Sequence, residues 1–118
     1  KRFEALLQLG SIHSARGESA QAMALFGKAL EAAPESHEAH LKVGVEYAKR
    51  GEMGSAVEAF RRAVALRPES EEARRNLVRA YLSSGDPAAA RKEYEALLEK
   101  MPAAAKPLER HFPDAPRP

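Results

Sequence analysis

The sequence predicts an all-α fold, a solenoid of three antiparallel helix pairs. The first observation is a period, because Pro34, Pro68 and Pro102 follow one another at intervals of 34 residues. The second is that other residue types recur at fixed distances before these prolines: Gly17, Gly51 and Gly85, then Ala22, Ala56 and Ala90, then the aromatics Phe26, Phe60 and Tyr94. The third is abundant alanine, the best helix former, without strand-like alternation. A period of this length is typical of stacked repeats.

Each repeat contains two helix-length segments separated by a glycine. In the second repeat, segment 39–49 carries apolar residues on several sides, which predicts a helix that packs on several sides. Gly51 then follows a basic pair, and both features favour a helix C-terminus. Segment 55–66 repeats small and large apolar residues at three- and four-residue steps, which predicts closely approaching helices. Pro68 cannot continue this helix, so the chain is expected to turn there.

Short polar residues precede several predicted helices. Ser36 and Ser70 are expected to cap the first helices of the second and third repeats. Asp86 is expected to cap the last helix, with Pro87 at its first position, where the missing backbone N–H is tolerated.

The recurring residues resemble the tetratricopeptide repeat family, with copies at 3–36, 37–70 and 71–104. The second copy matches the family pattern at Val43, Gly44, Tyr47, Ala56, Phe60, Ala63 and Pro68. The first copy matches at Leu6, Leu9, Gly10, Ala22, Phe26, Ala29 and Pro34, with His13 in place of the usual Tyr. The third matches at Leu77, Tyr81, Ala90, Tyr94 and Pro102 and departs at Arg74, Val78 and Leu97. The resemblance implies a right-handed superhelix whose concave groove is lined by the first helices.

The resemblance also implies a function, a protein–protein interaction module that binds a peptide or helix of a partner in this groove. The family's groove positions fall on Leu7, Ser11, Glu38, Leu41, Lys42, Val45, Lys49, Arg75, Asn76, Arg79 and Leu82. Leu41 and Val45 would supply apolar anchors, and Arg75 with Arg79, one turn apart, would bind a carboxylate. The alternative is that these arginines are surface charges paired with Glu71 or a neighbour.

One specialised use within the family is the dicarboxylate clamp for chaperone C-termini. The clamp positions here hold Leu7, Ser11, Lys42, Glu72 and Asn76, and none of these is the residue that the clamp requires. Chaperone-tail binding of that type is therefore not expected.

The tail, 105–118, is rich in proline and is predicted to contain a capping turn. Leu108 and Phe112 are four residues apart and would face together on one helical turn. We expect them to cover the apolar end of the third repeat near Leu97, Leu98 and Met101, because solenoid ends need a cover. A disordered tail is the alternative.

No catalytic, cofactor or metal site is expected. The chain has no Cys, and His37 and His40, even with Glu38 or Glu71, lack the third His or Cys that would complete a convincing metal site. No nucleophile elbow and no phosphate-binding loop is present, so we do not expect an enzyme. His13 replaces a packing tyrosine and is expected to pack.

Charge and hydropathy argue against two further classes of partner. The formal net charge is only +2, and the arginines between 61 and 79 alternate with acidic residues. No aromatic side chains are placed beside them to stack on bases. A nucleic-acid partner is therefore not expected. No apolar run approaches the roughly 18 residues of a membrane span. No signal peptide is recognisable, which says little if the chain is a piece of a longer protein. The cytoplasm is slightly favoured, and the periplasm stays open if a parent chain carries a signal.

Other functions stay open at this stage. The chain begins without Met and could be a structural segment of a larger repeat array or a self-assembling scaffold, for example a bacterial assembly, secretion or pilus factor. The two ends of the array would then contact further repeats, or a second copy in a homo-oligomer. These contact surfaces would be formed by Phe3, Leu6 and Leu7 at the start and by Leu97, Leu98 and Met101 at the end. A recruiting arm of an enzyme is a third use of such a repeat.

Overall fold

Three helix pairs follow one another along the chain, which we describe for residues 2–115 from a computed structural model. Within that range the chain is helical and contains no strand. The helices are α1 (Arg2–Ala15), α2 (Ser19–Ala32), α3 (His37–Lys49), α4 (Met53–Leu66), α5 (Glu71–Ser83), α6 (Pro87–Lys100) and α7 (Pro102–Ala105), followed by a 3-10 helix (Lys106–His111). No helix in this part of the chain combines the length and hydropathy that a bilayer crossing requires.

Recurrent residues begin and end these helices. Gly17, Gly51 and Gly85 have φ values of 77°, 77° and 86°, a left-handed conformation that costs glycine little, and each one reverses the chain within a pair. The predicted caps Ser36, Ser70 and Asp86 are confirmed, because each side chain accepts a hydrogen bond from a backbone N–H of the first turn. These caps let α3 begin at His37, two residues before the predicted segment, and α4 also begins two residues early.

Each helix packs mainly on its neighbours in sequence, and α3 also contacts α1 and α5. The resulting array is elongated, about 44 × 25 × 19 Å. Small residues allow the close approach within a pair: a Cβ on Gly44 would lie 2.5 Å from Cε1 of the Phe60 ring. Gly10 has the same relation to Phe26. The fold is therefore an all-α superhelical repeat.

After α6 the chain folds back on the last helix pair. Leu108 and Phe112 are buried in one cluster with Leu97, and Leu98 and Met101 pack against it. The Phe112 ring stacks on Tyr94, with centroids 4.3 Å apart and planes inclined by 15°. We call this segment, residues 102–115, the C-terminal cover. The remainder of the predicted tail, 116–118, lies outside the described residues.

The third repeat departs from the pattern where it meets other parts of the chain. Val78 and Leu97 are both buried in the cluster that contains the C-terminal cover. Arg74 donates from Nε to the Pro68 carbonyl at 2.6 Å and lies 3.9 Å from Glu93 Oε1. An arginine at this position thus satisfies a carbonyl in the turn between α4 and α5, which a large apolar residue could not do.

Candidate functional site

The inner surface of the array is formed by the first helices α1, α3 and α5, and it contains three adjoining cavities. The middle cavity, of about 390 Å³, lies between α1 and α3 and reaches Glu72 on α5. The apolar cavity, of about 280 Å³, lies between α3 and α5. An outer cavity of about 660 Å³ lies along α1. Together these cavities define what we call the groove.

The groove brings together most of the residues that the sequence assigned to it. Leu7, Ser11, Glu38, Leu41, Lys42, Val45, Lys49, Asn76 and Arg79 line one or more of the three cavities. Arg75 and Leu82 do not line them. Leu82 packs against the C-terminal cluster, and Leu7 is 3% exposed and belongs to the core of the first repeat.

The apolar cavity combines an apolar floor with cationic walls. Val45, Ala48, Phe60 and Ala80 contribute the apolar surface, and Lys49, Asn76 and Arg79 stand beside them. A cavity of this kind accepts an aliphatic side chain and offers hydrogen-bond donors to a group next to it.

The two arginines of α5 differ in their surroundings. Arg75 lies 3.6 Å from Glu71 Oε1 and donates to the Ala104 carbonyl of the C-terminal cover at 3.4 Å. Arg79 is exposed, and within residues 2–115 its guanidinium has no carboxylate in ion-pair range and only a 3.4 Å hydrogen bond to Asn76. Arg75 is therefore paired with Glu71, as the alternative has it, whereas Arg79 has no carboxylate partner among residues 2–115.

A buried carboxylate at the base of the groove was not foreseen. Glu46 is 2% exposed and accepts hydrogen bonds from Ser14 Oγ at 2.5 Å and Ser19 Oγ at 2.6 Å. Lys49 Nζ lies 3.9 Å away and donates to the backbone carbonyl of Ser14 at 3.2 Å. This network connects α3 to the end of α1 and the start of α2. Because Lys49 lies near the Glu46 carboxylate, its positive charge is partly neutralised.

The protonation of Glu46 follows from these partners. Burial alone would raise its pKa, but the hydroxyls of Ser14 and Ser19 and the charges of Lys49 and Arg50 together hold that pKa below its ordinary value of 4.5. The sequence signal for this residue is a carboxylate at a repeat position that holds Ile12 and Ala80 in the other copies.

Acidic side chains border the groove at the opposite ends of its helices. Glu4, Glu38 and Glu72 lie in the first turns of α1, α3 and α5, where the helix dipole favours negative charge. The groove is therefore acidic along one rim and cationic around Arg79 and Lys49. Among residues 2–115 no group of three or more ligand-type side chains could hold a metal ion.

Helix pairs repeated at a fixed period around a shared groove define a helical-repeat protein. Two family profiles, each described as tetratricopeptide repeat, match residues 7–71 and 47–108. Each match covers more than half of the chain, so the chain belongs to the tetratricopeptide repeat family. Members of this family are typically non-catalytic, and the family matches and the fold support a protein-interaction module in general terms.

Solved structures show the same fold. A crystal structure of MamA is 28% identical, with a TM-score of 0.80 over 88% of this chain. A second MamA structure is 24% identical, with a TM-score of 0.78 over 98% of this chain. The chain spans 61% of each of those MamA chains. The first repeat domain of Spaghetti (RPAP3), bound to an HSP90 peptide, is 21% identical, with a TM-score of 0.80 over 92% of this chain and 91% of that one. No curated protein matches the sequence.

Proposed function

We propose that the groove binds a peptide segment of a partner protein, with an aliphatic residue in the apolar cavity and an adjacent carboxylate on Arg79. The observation that carries this proposal is an exposed arginine without a carboxylate partner among residues 2–115, at the wall of an apolar cavity. Apolar surface beside a guanidinium is complementary to a ligand in which an aliphatic side chain and a carboxylate lie within one or two residues of each other.

The direction of the peptide follows from the charges along the helices. Its acidic group lies near Arg79, and any basic group lies toward the rim of Glu38 and Glu72, which are exposed. A chaperone tail with two carboxylates at its end fits this rim poorly, in keeping with the absence of the clamp residues. Nucleic acid is also disfavoured, because the same rim repels a phosphate backbone.

The test is selection from a random peptide library, followed by affinity measurements on the selected peptides. We expect the selected peptides to carry Asp, Glu or a C-terminal carboxylate beside an aliphatic residue. Arg79→Glu should weaken their binding roughly 10- to 100-fold, since a hydrogen bond to a charged group contributes about 1.5–3 kcal/mol. Arg61→Glu is the matched control, because it makes the same charge change on an exposed residue of α4, outside the groove cavities.

Two results would contradict the proposal. Equal losses for Arg79→Glu and Arg61→Glu would show that only the total charge matters. Oligonucleotide binding that falls steeply with salt and depends on Arg79 would assign the surface to nucleic acid instead. Once a peptide motif is known, a pull-down with the native chain and the Arg79→Glu variant can identify the partner.

A further inference from the structure

The middle cavity and the apolar cavity occupy the same place in successive repeats. Every residue that lines the apolar cavity, except Met53, has its equivalent, 34 residues earlier in the chain, in the lining of the middle cavity. Both linings include the phenylalanine of the repeat pattern, Phe26 in the middle cavity and Phe60 in the apolar cavity. The fold therefore forms one cavity twice, between α1 and α3 (the first junction) and between α3 and α5 (the second junction).

The two cavities differ in the chemistry of their floors. The first junction holds the hydrogen-bonded network of Ser14, Ser19, Glu46 and Lys49. The equivalent positions of the second junction hold Ala48, Met53, Ala80 and Ser83. Ala80 is buried in one cluster with Phe60, and Ala48 packs against that cluster. The side chains of Ala48, Met53 and Ala80 offer no hydrogen bond to an occupant, so the second junction has an apolar version of the same cavity.

An aliphatic side chain of a ligand would be unfavourable at the first junction. Lys49 Nζ donates there to Ser14 Oγ at 2.5 Å and to the Ser14 carbonyl at 3.2 Å, and the lysine side chain is 48% exposed. An aliphatic group placed on this floor would remove water from the ammonium and supply no acceptor in return, which costs free energy. At the second junction the same group would cover alanine, methionine and phenylalanine, and the burial of apolar surface is favourable.

Met53 is the part of the apolar cavity that can adjust to its occupant. It is half-buried, and within residues 2–115 it packs against none of the three core clusters, whereas Met23 and Met101 each pack against one. A methionine side chain is unbranched and turns about three bonds, so it adapts to neighbours of different shape. Its position at the cavity therefore suits aliphatic side chains of more than one shape.

We infer that Ala48, Met53 and Ala80 determine the specificity of the groove, because they make the second junction accept an aliphatic ligand residue that the first junction rejects. The inference rests on the proposed function, in which the neighbouring carboxylate of the ligand lies on Arg79. It also fixes a register along the ligand. Packed helices lie about 8–10 Å apart, which is about three residues of an extended peptide. The ligand residue about three positions from the aliphatic one, on the side away from the carboxylate, lies on the polar floor and is not aliphatic.

A transplant of the polar floor tests the inference. The transplant variant carries Ala48→Ser, Met53→Ser, Ala80→Glu and Ser83→Lys, which are the residues of the first junction, and its net charge is that of the native chain. Two peptides are compared by fluorescence anisotropy: one selected from the library, and the same peptide with its aliphatic residue replaced by alanine. The native chain should bind the selected peptide roughly 10- to 100-fold more tightly than the alanine peptide. The transplant variant should bind the two peptides about equally.

Two smaller changes test the same residues with less risk to the fold. Met53→Gln keeps the length of the side chain and should reduce the preference for the aliphatic peptide severalfold, whereas Met53→Leu should retain it. The reverse transplant, Ser14→Ala with Ser19→Met and Glu46→Ala, replaces both sides of the network by apolar groups, an exchange that can be nearly neutral for stability. It should select peptides with a second aliphatic residue about three positions from the first. Circular dichroism confirms that each variant is folded.

Three outcomes would overturn the inference. The first is a folded transplant variant that retains the full preference for the aliphatic peptide, and the second is equal behaviour of Met53→Gln and Met53→Leu. The third is a reverse transplant that selects the same peptides as the native chain. Failure of the proposed function has a different result, since Arg79→Glu would then leave peptide binding unchanged. Binding that depends on Arg79 but shows no preference between the two peptides would count against the present inference alone.

Discussion

Gly44 lies on α3 against the ring of Phe60, and its replacement by alanine is expected to destabilise the fold. An alanine Cβ would meet the ring atoms Cε1, Cδ1 and Cζ at 2.5, 2.7 and 3.0 Å. Carbon atoms in contact prefer separations of about 3.5–4.0 Å, so the ring or the helix has to move by roughly 1 Å. Phe60 is 2% exposed and cannot swing into solvent without losing its burial.

The size of the effect follows from two opposing contributions. Overpacking a core typically destabilises by about 1–3 kcal/mol, and a contact this short belongs near the upper end of that range. Alanine in a helix interior is favoured over glycine by about 1 kcal/mol. The net loss is therefore about 2 kcal/mol, or roughly 8 °C in Tm for a chain of this length.

Thermal unfolding followed by circular dichroism, with urea titration as a second measurement, tests this prediction. Gly27→Ala is the matched control, because Gly27 lies within α2 and a Cβ there meets nothing within 4 Å. It should stabilise the fold by about 0.5–1 kcal/mol. In a Phe60→Leu background the penalty of Gly44→Ala should shrink, since the ring edge that it meets is gone.

The reasoning would be refuted by a Gly44→Ala variant that melts at or above the native temperature. The close approach of the two helices would then be adjustable at little cost, and the small residues of the repeat pattern would need another explanation. A penalty that does not change in the Phe60→Leu background would also contradict the assignment of the clash to that ring.

Four further predictions concern the buried carboxylate, the helix caps and the C-terminal cover. Ser19→Ala should destabilise by about 1.5–3 kcal/mol in urea titration, because it removes a donor to the charged Glu46. Since the folded pKa of Glu46 lies below 4.5, its stabilisation is present above that pH and is lost as the pH falls through the folded pKa; Glu46→Gln should therefore flatten the acid limb of a Tm-against-pH curve. Asp86→Ala should destabilise by about 1 kcal/mol, whereas Glu52→Ala, at a helix start without a side-chain cap bond, should change stability by less than about 0.5 kcal/mol. Phe112→Ala should destabilise by about 3–5 kcal/mol, and an unchanged urea midpoint would mean that the cover contributes nothing.

The period carried most of the information about the fold. Glycine, proline and alanine at fixed intervals act through local backbone and packing preferences, so the helix pairs, their order and their caps at Ser36, Ser70 and Asp86 could be predicted. Apolar periodicity alone placed the starts of α3 and α4 two residues late, because the first turn of a helix carries no such periodicity. The cap predicted at Ser36 gives the start of α3 correctly, whereas α4 has no side-chain cap bond that could mark its start.

The groove was harder to predict than the fold. Membership of a helix face is periodic, so the positions of Val45, Asn76 and Arg79 could be predicted, but the partner of each charge depends on side-chain contacts between repeats. Arg75 bonds to Ala104, about 30 residues further along the chain, and no spacing rule anticipates that contact. Glu46 was missed for the same reason, since its donors come from Ser14 and Ser19 in another repeat.

The exposed edge was also misplaced at the level of sequence. Phe3, Leu6 and Leu7 were expected to form the contact surface at the start of the chain, yet Leu7 is buried and the other two pack against the core of the first repeat. The residues exposed there are Leu9 and Ile12. The sequence alone does not show which side of α1 is packed and which is open. The structure distinguishes Leu7, which is buried, from Leu9 and Ile12, whose equivalents on α3 are buried against neighbouring helices.

The packing of each helix on its sequence neighbours also makes the length of the groove adjustable. A second copy of residues 37–70 spliced between the second and third repeats would present to α5 the same α4 surface that packs on it now. The first helix of that copy would pack on the preceding α4, and its glutamate would have to be replaced by an apolar residue, because Ala48 and Met53 stand there in the places of Ser14 and Ser19. Such an insertion would add one first helix, and so about 8–10 Å of groove. The exposed side of α1 around Leu9 and Ile12 and the C-terminal cover would both stay unchanged, since they belong to the first and last helix pairs. For this architecture, ligand length and end contacts are independent properties that can change one at a time.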